Sequence, residues 1–240
     1  MQREHQPIHL SRARRALARA FARHFLHPHF ERVGEGCAFE NPLFVHAVGA
    51  PIVLGEHVQI NAMLENHVRL VVWGRAPGLG RISIGDFSVI NPGARIGSGC
   101  SIDIGKNALF ASNVCINDSD CHGHYDRVFD GGAYAPITIE ENVWLGEGVI
   151  VCKGVTIGRN SIVGAGSIVV SDIPANSIAV GNPAHVVSSL DPTRKFVSRS
   201  DVLTEAPGYL EDLRRLEQDL MRDNTLLGYL RYLLFPRRGD

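Results

Sequence analysis

The residues best suited to chemistry lie in one polar stretch, between Asp118 and Pro136. From residue 118 it reads Asp-Ser-Asp-Cys-His-Gly-His-Tyr-Asp-Arg and then passes through a glycine-containing segment. Histidine has an ordinary pKa near 6.5, so His122 or His124 could remove a proton from a weakly acidic group such as a hydroxyl. Asp118 or Asp120 could accept the other imidazole N–H and hold the tautomer, or could instead cap the turn. The stretch therefore predicts a site for general base catalysis.

The segments around this stretch repeat with a period of six residues. Between residues 137 and 184, aliphatic residues recur at Ile139, Leu145, Val151, Ile157, Val163 and Val169. Strands alternate at two and helices repeat near 3.6, so a period of six requires short strands joined by tight corners. Three hexads then make one coil of a parallel β-helix, with the aliphatic side chains pointing inward. Loops on rigid repeat scaffolds often carry function, so we expect residues 118–136 to form the active-site loop.

The repeat divides the chain into three parts. Residues 1–32 form a predicted helical cap, because apolar residues at 11–26 recur at helical spacing. Residues 33–187 carry the hexads and form the predicted β-helix domain, which includes the loop at 118–136. Residues 188–240 have no hexads and form a predicted helical extension. Its last apolar stretch, 225–235, is too short to span a bilayer, so we expect it to pack as a helix.

Composition limits the functions of this chain. Its 240 residues include 24 basic and 25 acidic residues, for a net charge of −1, so nothing global indicates a nucleic-acid partner. Five cysteines without a CxxC pair suit a reducing compartment. No run approaches the roughly 20 apolar residues of a spanning helix, so we expect a cytoplasmic protein without a transmembrane segment. Arginines on the first helix leave a weak membrane-surface contact as the alternative to a solvated face.

Several stretches carry a resemblance to a known family. Residues 137–146 (ITIEENVWLG), 162–167 (IVGAGS) and 181–184 (GNPA) resemble the hexapeptide-repeat O-acetyltransferases that modify sugars and polysaccharides. Residues 118–122 (DSDCH) are similar to the active-site loop of the capsule and cell-surface glycan members. The resemblance implies an all-β fold, a left-handed parallel β-helix, assembled as a homotrimer with acetyl-CoA between neighbouring subunits. It also implies a sugar or glycan-precursor acceptor and no metal.

The resemblance also assigns catalytic roles. His122 takes the base position of the Ser-Asp-x-His pattern, whereas His124 takes it if the loop is aligned with the galactoside and maltose acetyltransferases. We predict His122, with Asp120 orienting the imidazole. The attacked thioester carbonyl becomes a tetrahedral oxyanion, which a fixed backbone N–H can stabilise. By resemblance this donor lies near Gly146 or Glu147.

Further residues are assigned to the two substrates. On the acceptor side the candidates are Trp144, His124, Asn91 and Tyr125. The Trp144 indole can stack on the apolar face of a pyranose, and plain packing is its alternative role. Along CoA the candidates are Glu147, Gly164, Ala165, Ser171 and His185. The last two depart from the family pattern, in which Lys or Arg commonly meets the CoA phosphates, and the alternative phosphate ligands are Lys153, Arg159, Arg194 and Lys195.

Two other functions are compatible with a hexapeptide repeat. A zinc lyase resembling the γ-class carbonic anhydrases needs three histidines around one metal, and this loop offers His122 and His124 only. A non-catalytic β-helix scaffold would keep the hexads but would not need a histidine-containing loop. Turnover of a CoA thioester distinguishes the acetyltransferase from the scaffold.

Overall fold

The chain winds into a parallel-stranded coil with three sheets as its sides. The computed structural model describes residues 5–74, 79–205, 208–235 and 237. The strands, numbered β1 to β20 in chain order, enter three sheets in turn, here called A, B and C, so that up to β18 every third strand returns to the same sheet. These parallel sheets and the six-residue repeat fit a left-handed β-helix.

The bounds of the strands follow the hexads. Sheet A contains β1 (Arg32–Val33), β4 (Ile52–Leu54), β7 (Ile82–Ile84), β10 (Ile102–Ile104), β13 (Ile137–Ile139) and β16 (Thr156–Ile157). Sheet B contains β2 (Ala38–Glu40), β5 (Gln59–Asn61), β8 (Val89–Ile90), β11 (Leu109–Phe110), β14 (Trp144–Leu145), β17 (Ile162–Val163), β19 (Ser177–Gly181) and β20 (Ala184–Ser189). Sheet C contains β3 (Val45–Val48), β6 (Val68–Val72), β9 (Arg95–Ser98), β12 (Cys115–Asn117), β15 (Ile150–Val151) and β18 (Ile168–Val169). Each corner is named for the sheets it joins: A–B, B–C and C–A.

The hexad residues fill the interior of the coil. In register, Ile139 pairs with Ile157 and Leu145 with Val163, so like positions stack from coil to coil. Burying an aliphatic side chain of this size contributes about 1.5–3 kcal/mol, which makes the stack the main source of stability. The inward direction predicted from the period is confirmed, because all six repeat positions are at most 1% exposed: Ile139, Leu145, Val151, Ile157, Val163 and Val169.

Asparagines shape the A–B corners of the last coils. Asn142, Asn160 and Asn176 have φ values of 56°, 60° and 55°, a left-handed region that asparagine adopts more readily than most residues. Asn142 Nδ2 donates to Asn160 Oδ1, and Asn160 Nδ2 donates to Asn176 Oδ1, at 2.9 Å each. This ladder holds successive coils in register.

A helix covers the first coil. Helix α1 (Ile8–Phe21) begins three residues before the predicted stretch at 11–26 and continues through a π-helical turn (Ala22–Leu26) and a 3-10 turn (His27–His29). Pro7 precedes it, where a fixed φ and a missing N–H suit a helix start. Ala22 and Leu26 are buried and join the core, which closes the end of the coil.

Three helices follow the last coil: α2 (Arg199–Glu205), α3 (Tyr209–Met221) and α4 (Leu226–Leu234). Ser200 of α2 exchanges two hydrogen bonds of 2.9 Å with the Asn107 side chain, which attaches α2 to the coil. No residue of α4 is fully buried and Leu227 is 80% exposed, but Tyr232 stacks on His5 with ring centroids 4.5 Å apart, so this helix is only partly packed within one chain. Among the helices that the structure describes, none has the length and apolar character to cross a membrane.

Candidate active site

The polar loop leaves the coil at the C–A corner, between β12 and β13. Its two legs are paired, because Ser119 and Tyr134 form an antiparallel bridge. The Asp120 N–H donates to the Ala133 carbonyl and the Ala135 N–H donates to the Asp118 carbonyl, at 3.0 Å each. The loop therefore projects from the coil, and hydrogen bonds between its two ends fix it where it leaves the coil.

Asp118 anchors the loop to the coil. Its side chain is fully buried and accepts three hydrogen bonds: from Gly99 N–H (2.7 Å), from Ser98 Oγ (2.7 Å) and from Cys100 N–H (2.9 Å). Both carboxylate oxygens are used by these contacts. Of the two roles open to Asp118 from the sequence, turn capping is the one that this geometry supports.

His122 lies on the exposed part of the loop, with its ring held from one side. Its Nδ1 lies 3.0 Å from the Arg127 carbonyl oxygen. A carbonyl oxygen can only accept, so Nδ1 carries the proton in this contact and Nε2 of the neutral ring keeps its lone pair. The imidazole is thus oriented for accepting a proton at Nε2. The orienting group is a backbone carbonyl, and Asp120, the predicted partner, is bound elsewhere.

Asp120 forms an ion pair with Lys153 at the next C–A corner, with Oδ1 and Nζ 2.7 Å apart. The hydrogen bond from Lys153 lowers the pKa of Asp120, and the positive charge of Lys153 and nearby His124 act in the same direction. Asp120 therefore remains ionised at neutral pH. The carboxylate contacts Lys153, and His124 is near enough for its charge to act on Asp120, so a role with His124 is the alternative for this carboxylate.

The loop tip presents apolar side chains to solvent. Asp126 Oδ1 accepts the N–H groups of Val128 (3.0 Å) and Phe129 (2.9 Å), which fixes a tight turn there. Val128 is 79% exposed, Phe129 is 85% exposed, and the predicted acceptor residue Tyr125 is fully exposed. Exposing these three side chains to water does not stabilise a single chain. A cluster of exposed apolar side chains is typical of a surface that another molecule covers.

A second group of predicted residues lies at and beside the B–C corner. Trp144 begins β14 on the outer face of sheet B and is 50% exposed. The Gly146 N–H donates to the Val163 carbonyl at 2.8 Å and the Gly164 N–H to the Ala179 carbonyl at 2.8 Å, so both amides are used by the coil. Within the described residues, the N–H groups of Glu147 and Ala165 make no hydrogen bond. The free donors at this corner therefore belong to Glu147 and Ala165, and not to Gly146.

Three predicted residues lie outside these two groups, and Asn91 is at the B–C corner two coils before Trp144. Asn91 is engaged in an amide ladder, donating to the Phe110 carbonyl (2.8 Å) and accepting from Asn61 Nδ2 (2.9 Å). Ser171 is exposed at the C–A corner, one coil beyond Lys153, and His185 is exposed on β20. Ser171 is thus on the same corner as the loop, while His185 belongs to the terminal hairpin.

The two groups of site residues are on opposite sides of one chain. The loop with His122 projects from the C–A corner, and in a three-sided coil that corner faces away from sheet B. Trp144 lies on the outer face of sheet B, so it cannot reach His122 of its own chain. A site that uses both residues requires two copies of the chain.

Sequence reasoning missed part of this region. The sequence indicates Lys153 only as a possible phosphate ligand. Its contact with Asp120 arises because Lys153 occupies the C–A corner of the next coil. Arg69, Trp73 and Arg95 lie on the outer face of sheet C beside the loop, and Arg69 and Trp73 precede the regular hexads. Counting hexads from coil to coil could have placed Arg69 beside Arg95. The irregular spacing before residue 82 prevents this count. Within the described residues, no group of three or more His, Cys, Asp or Glu side chains could hold a metal ion.

The chain is similar to known acetyltransferases. Residues 136–171 match the family model described as bacterial transferase hexapeptide (six repeats). The galactoside O-acetyltransferase of Lactococcus lactis is 31% identical over 185 residues, covering 77% of this chain and 72% of that protein. The galactoside O-acetyltransferase of Escherichia coli is 40% identical over 107 residues, covering 44% of this chain and 53% of that protein, so the match spans about half of that relative's length.

A solved structure is similar over a comparable share of the chain. The maltose O-acetyltransferase from Clostridium difficile 630 is 28% identical, with a TM-score of 0.49, and the match covers 76% of this chain and 89% of that one.

Proposed function

Since the chain belongs to the hexapeptide-repeat O-acetyltransferase family, we propose that it transfers an acetyl group from acetyl-CoA to a hydroxyl of a sugar or cell-surface glycan precursor. The hydroxyl oxygen attacks the thioester carbonyl and its proton passes to a base. Collapse of the tetrahedral intermediate breaks the C–S bond, and the proton goes to the departing CoA thiolate. The products are the acetyl ester and CoA, so no further reactant is needed.

His122 is the base in this proposal, and one contact carries the assignment. The Arg127 carbonyl binds Nδ1–H of His122 and leaves Nε2 as the proton acceptor. A backbone carbonyl that accepts from one ring nitrogen fixes the tautomer of a functional histidine. His122 is also exposed at the loop surface, where a sugar hydroxyl can approach it. His124, beside the Asp120 and Lys153 pair, is the alternative base.

The site is completed by a neighbouring subunit in the proposed homotrimer. From Val89 onward the outer row of sheet B is apolar along successive strands, through Val89, Leu109, Trp144, Ile162 and Ile178. The corresponding row of sheet A is mostly polar: Arg32, Val53, Ser83, Asp103, Thr138 and Thr156. An apolar sheet face and the exposed loop tip favour contact between copies, since both would be covered there.

The neighbour would supply the groups that the loop lacks. The N–H groups of Glu147 and Ala165 are held by rigid coils, so they can donate without reorganisation to an oxyanion or to the pantetheine amides. In the proposal, the Glu147 N–H takes the oxyanion role that the sequence placed at Gly146 or Glu147. Gly164 and Ala165 line the pantetheine arm, and Ser171 and His185 remain candidates for the far end of CoA. Trp144 lies on the same neighbour and can face the acceptor.

Single histidine variants test this function. Replacing His122 with Ala should lower kcat by roughly 100- to 10,000-fold, the usual effect of losing a positioned base, with an unchanged melting temperature. His124→Ala should lower kcat by at most about tenfold, through loop geometry. His29→Ala, an exposed histidine near α1, is the control. Acetyl transfer is measured at saturating acetyl-CoA over a panel of sugars and nucleotide sugars.

Each other outcome is informative. An active His122→Ala with an inactive His124→Ala would move the base to His124. Activity in both variants would contradict histidine base catalysis. A wild-type protein that turns over no CoA thioester with any acceptor would favour the non-catalytic scaffold.

A further inference from the structure

The outer face of sheet C changes character along the coil. One row of neighbouring residues runs His46, Arg69, Arg95, Cys115, Ile150, Ile168, each paired in register with the next. Neighbouring parallel strands lie about 4.8 Å apart. The end of the row near Ile168 is therefore apolar, and the end near Arg69 places two guanidinium-bearing residues on adjacent strands.

This arginine pair is not explained by folding. Like charges directly opposite each other on adjacent strands are destabilising. Among the described residues, neither Arg69 nor Arg95 lies within salt-bridge distance of a carboxylate, although Glu65 lines the same depression. A pair of neighbouring arginines without an acidic partner matches the bidentate recognition of a carboxylate or phosphate.

Two histidines adjoin the arginine pair. His46 Nε2 and His67 Nδ1 lie 2.9 Å apart, with stacked rings, and His46 is the register neighbour of Arg69. Burial lowers the pKa of His46, and the adjacent His67 and Arg69 lower it further. Further positive charge is therefore unfavourable at this end of the row. A bound anion would offset the repulsion between the cationic groups.

Two cavities meet at the arginines. One, of about 370 Å³, is polar and includes His67 and Asn113 with the arginine pair. The other, of about 360 Å³, extends from the arginine pair to Trp73 and Asn117. Asn117 is the last residue of β12, directly before the active-site loop. The second cavity therefore joins the arginines to the loop that carries His122.

An aromatic wall lines the loop side of this second cavity. The Trp73 ring lies directly on Gly97, where a Cβ atom would come within 2.5 Å of the ring, so only glycine fits beneath it. Gly97 follows Arg95 by two residues, about 7 Å along the strand. An indole face and a cationic group at this spacing suit one sugar ring that carries an anionic substituent.

We propose that Arg69 and Arg95 bind a carboxylate or phosphate group on the acceptor, whose sugar ring lies against Trp73. The proposal rests on the proposed acetyltransferase function and narrows its acceptor to anionic sugars. It makes the two arginines specificity-determining residues on the acceptor side of the loop. The anion is either a ring carboxylate, as in a uronic acid, or a phosphate, as in a sugar phosphate.

Binding and turnover with a matched set of sugars test the proposal. Methyl glucoside, methyl glucuronide and glucose 1-phosphate are titrated calorimetrically into the full-length protein with CoA present, and kcat/KM is measured with acetyl-CoA. An anionic sugar should bind at least tenfold more tightly than methyl glucoside, and the difference should shrink at high salt. Arg69→Gln and Arg95→Gln should each weaken binding of the anionic sugar about 10- to 100-fold, and Arg95→Lys by less. Arg32→Gln, an exposed arginine on sheet A, is the matched control.

The outcomes separate the two proposals. Preference for the glucuronide alone assigns a carboxylate, and preference for the phosphate alone assigns a phosphate. Equal affinity for the neutral and anionic sugars, or equal loss of both in Arg95→Gln, overturns the anionic site even if acetyl transfer is observed. Arginine-dependent binding of an anionic sugar without any acetyl transfer overturns the proposed function and leaves the anion site standing.

Discussion

Replacing Asp118 with Ala should unfold the junction between the loop and the coil, although Asp118 performs no chemistry. Its carboxylate is fully buried and accepts three hydrogen bonds, two of them from backbone amides of Gly99 and Cys100. Each donor left without a partner costs about 1–3 kcal/mol, which gives roughly 3–9 kcal/mol for the three. The Ser98 hydroxyl can rotate toward another acceptor but the two amides cannot. We therefore expect a loss of about 2–6 kcal/mol from the two amides, which reaches the upper range for single substitutions.

Two companion variants isolate the cause. Asp118→Asn keeps the side-chain volume but turns one acceptor oxygen into a donor, so it should be destabilising without opening a cavity. Asp126→Ala removes a carboxylate from the same loop that also accepts two amides, at Val128 and Phe129. Asp126 is exposed, so water can replace its carboxylate, and the loss of stability should be much smaller than that of Asp118→Ala.

Urea unfolding followed by circular dichroism at one fixed protein concentration measures the free energy of unfolding, since assembly makes stability concentration-dependent. Amide hydrogen exchange at Gly99 and Cys100 reports the junction itself. Variants Asp118→Ala and Asp118→Asn that both remain within about 1 kcal/mol of wild-type, with protected amides, would refute the anchoring role.

Two further predictions concern the Asp120 pair and the shared site. Lys153→Met should raise the pKa of Asp120 from below 3.8 toward that ordinary value, as seen by NMR titration of the carboxyl carbon. Because the folded-state pKa is lowered, the pair stabilises the protein above pH 3.8 and this contribution is lost as the pH falls through the lower folded-state pKa; an unshifted Asp120 would contradict the pairing. Mixing inactive His122→Ala with impaired Trp144→Ala subunits should restore about a quarter of the wild-type sites if one copy supplies the loop and the next supplies Trp144. No recovery after co-refolding would place both groups in one chain.

The interior of the coil could be predicted from the sequence because its signal is local. A six-residue period identifies which side chain of each hexad points inward, and Leu145 and Val163 stack as this period requires. The position of the loop also follows, since the period stops at Asp118. These features depend on spacing along the chain, which one sequence contains in full.

Contacts between coils were harder to predict. Asp118 and Asp120 both precede His122 in one run, and nothing in their order says that the first is buried on Gly99 and Cys100 while the second reaches Lys153. The Gly146 amide likewise looks available until the next coil places a carbonyl against it. The alignment of Arg69 with Arg95 depends on the length of the chain between them, which includes a segment without the six-residue period.

The distribution of residues over the three faces supports the proposal that two copies share one site. Sheet A has a mostly polar outer row, sheet B an apolar row with Trp144, and sheet C a row that is cationic at one end and apolar at the other. In a closed ring, head-to-tail contact uses one face of each copy against a different face of the next. Pairing sheet B with sheet C would cover both apolar rows and leave sheet A in water. The same pairing would bring Trp144 and the free Glu147 amide of one copy to the loop of its neighbour. Assembly and catalysis would then depend on the same two faces, so a substitution that weakens the contact should lower activity in proportion to the loss of assembled protein.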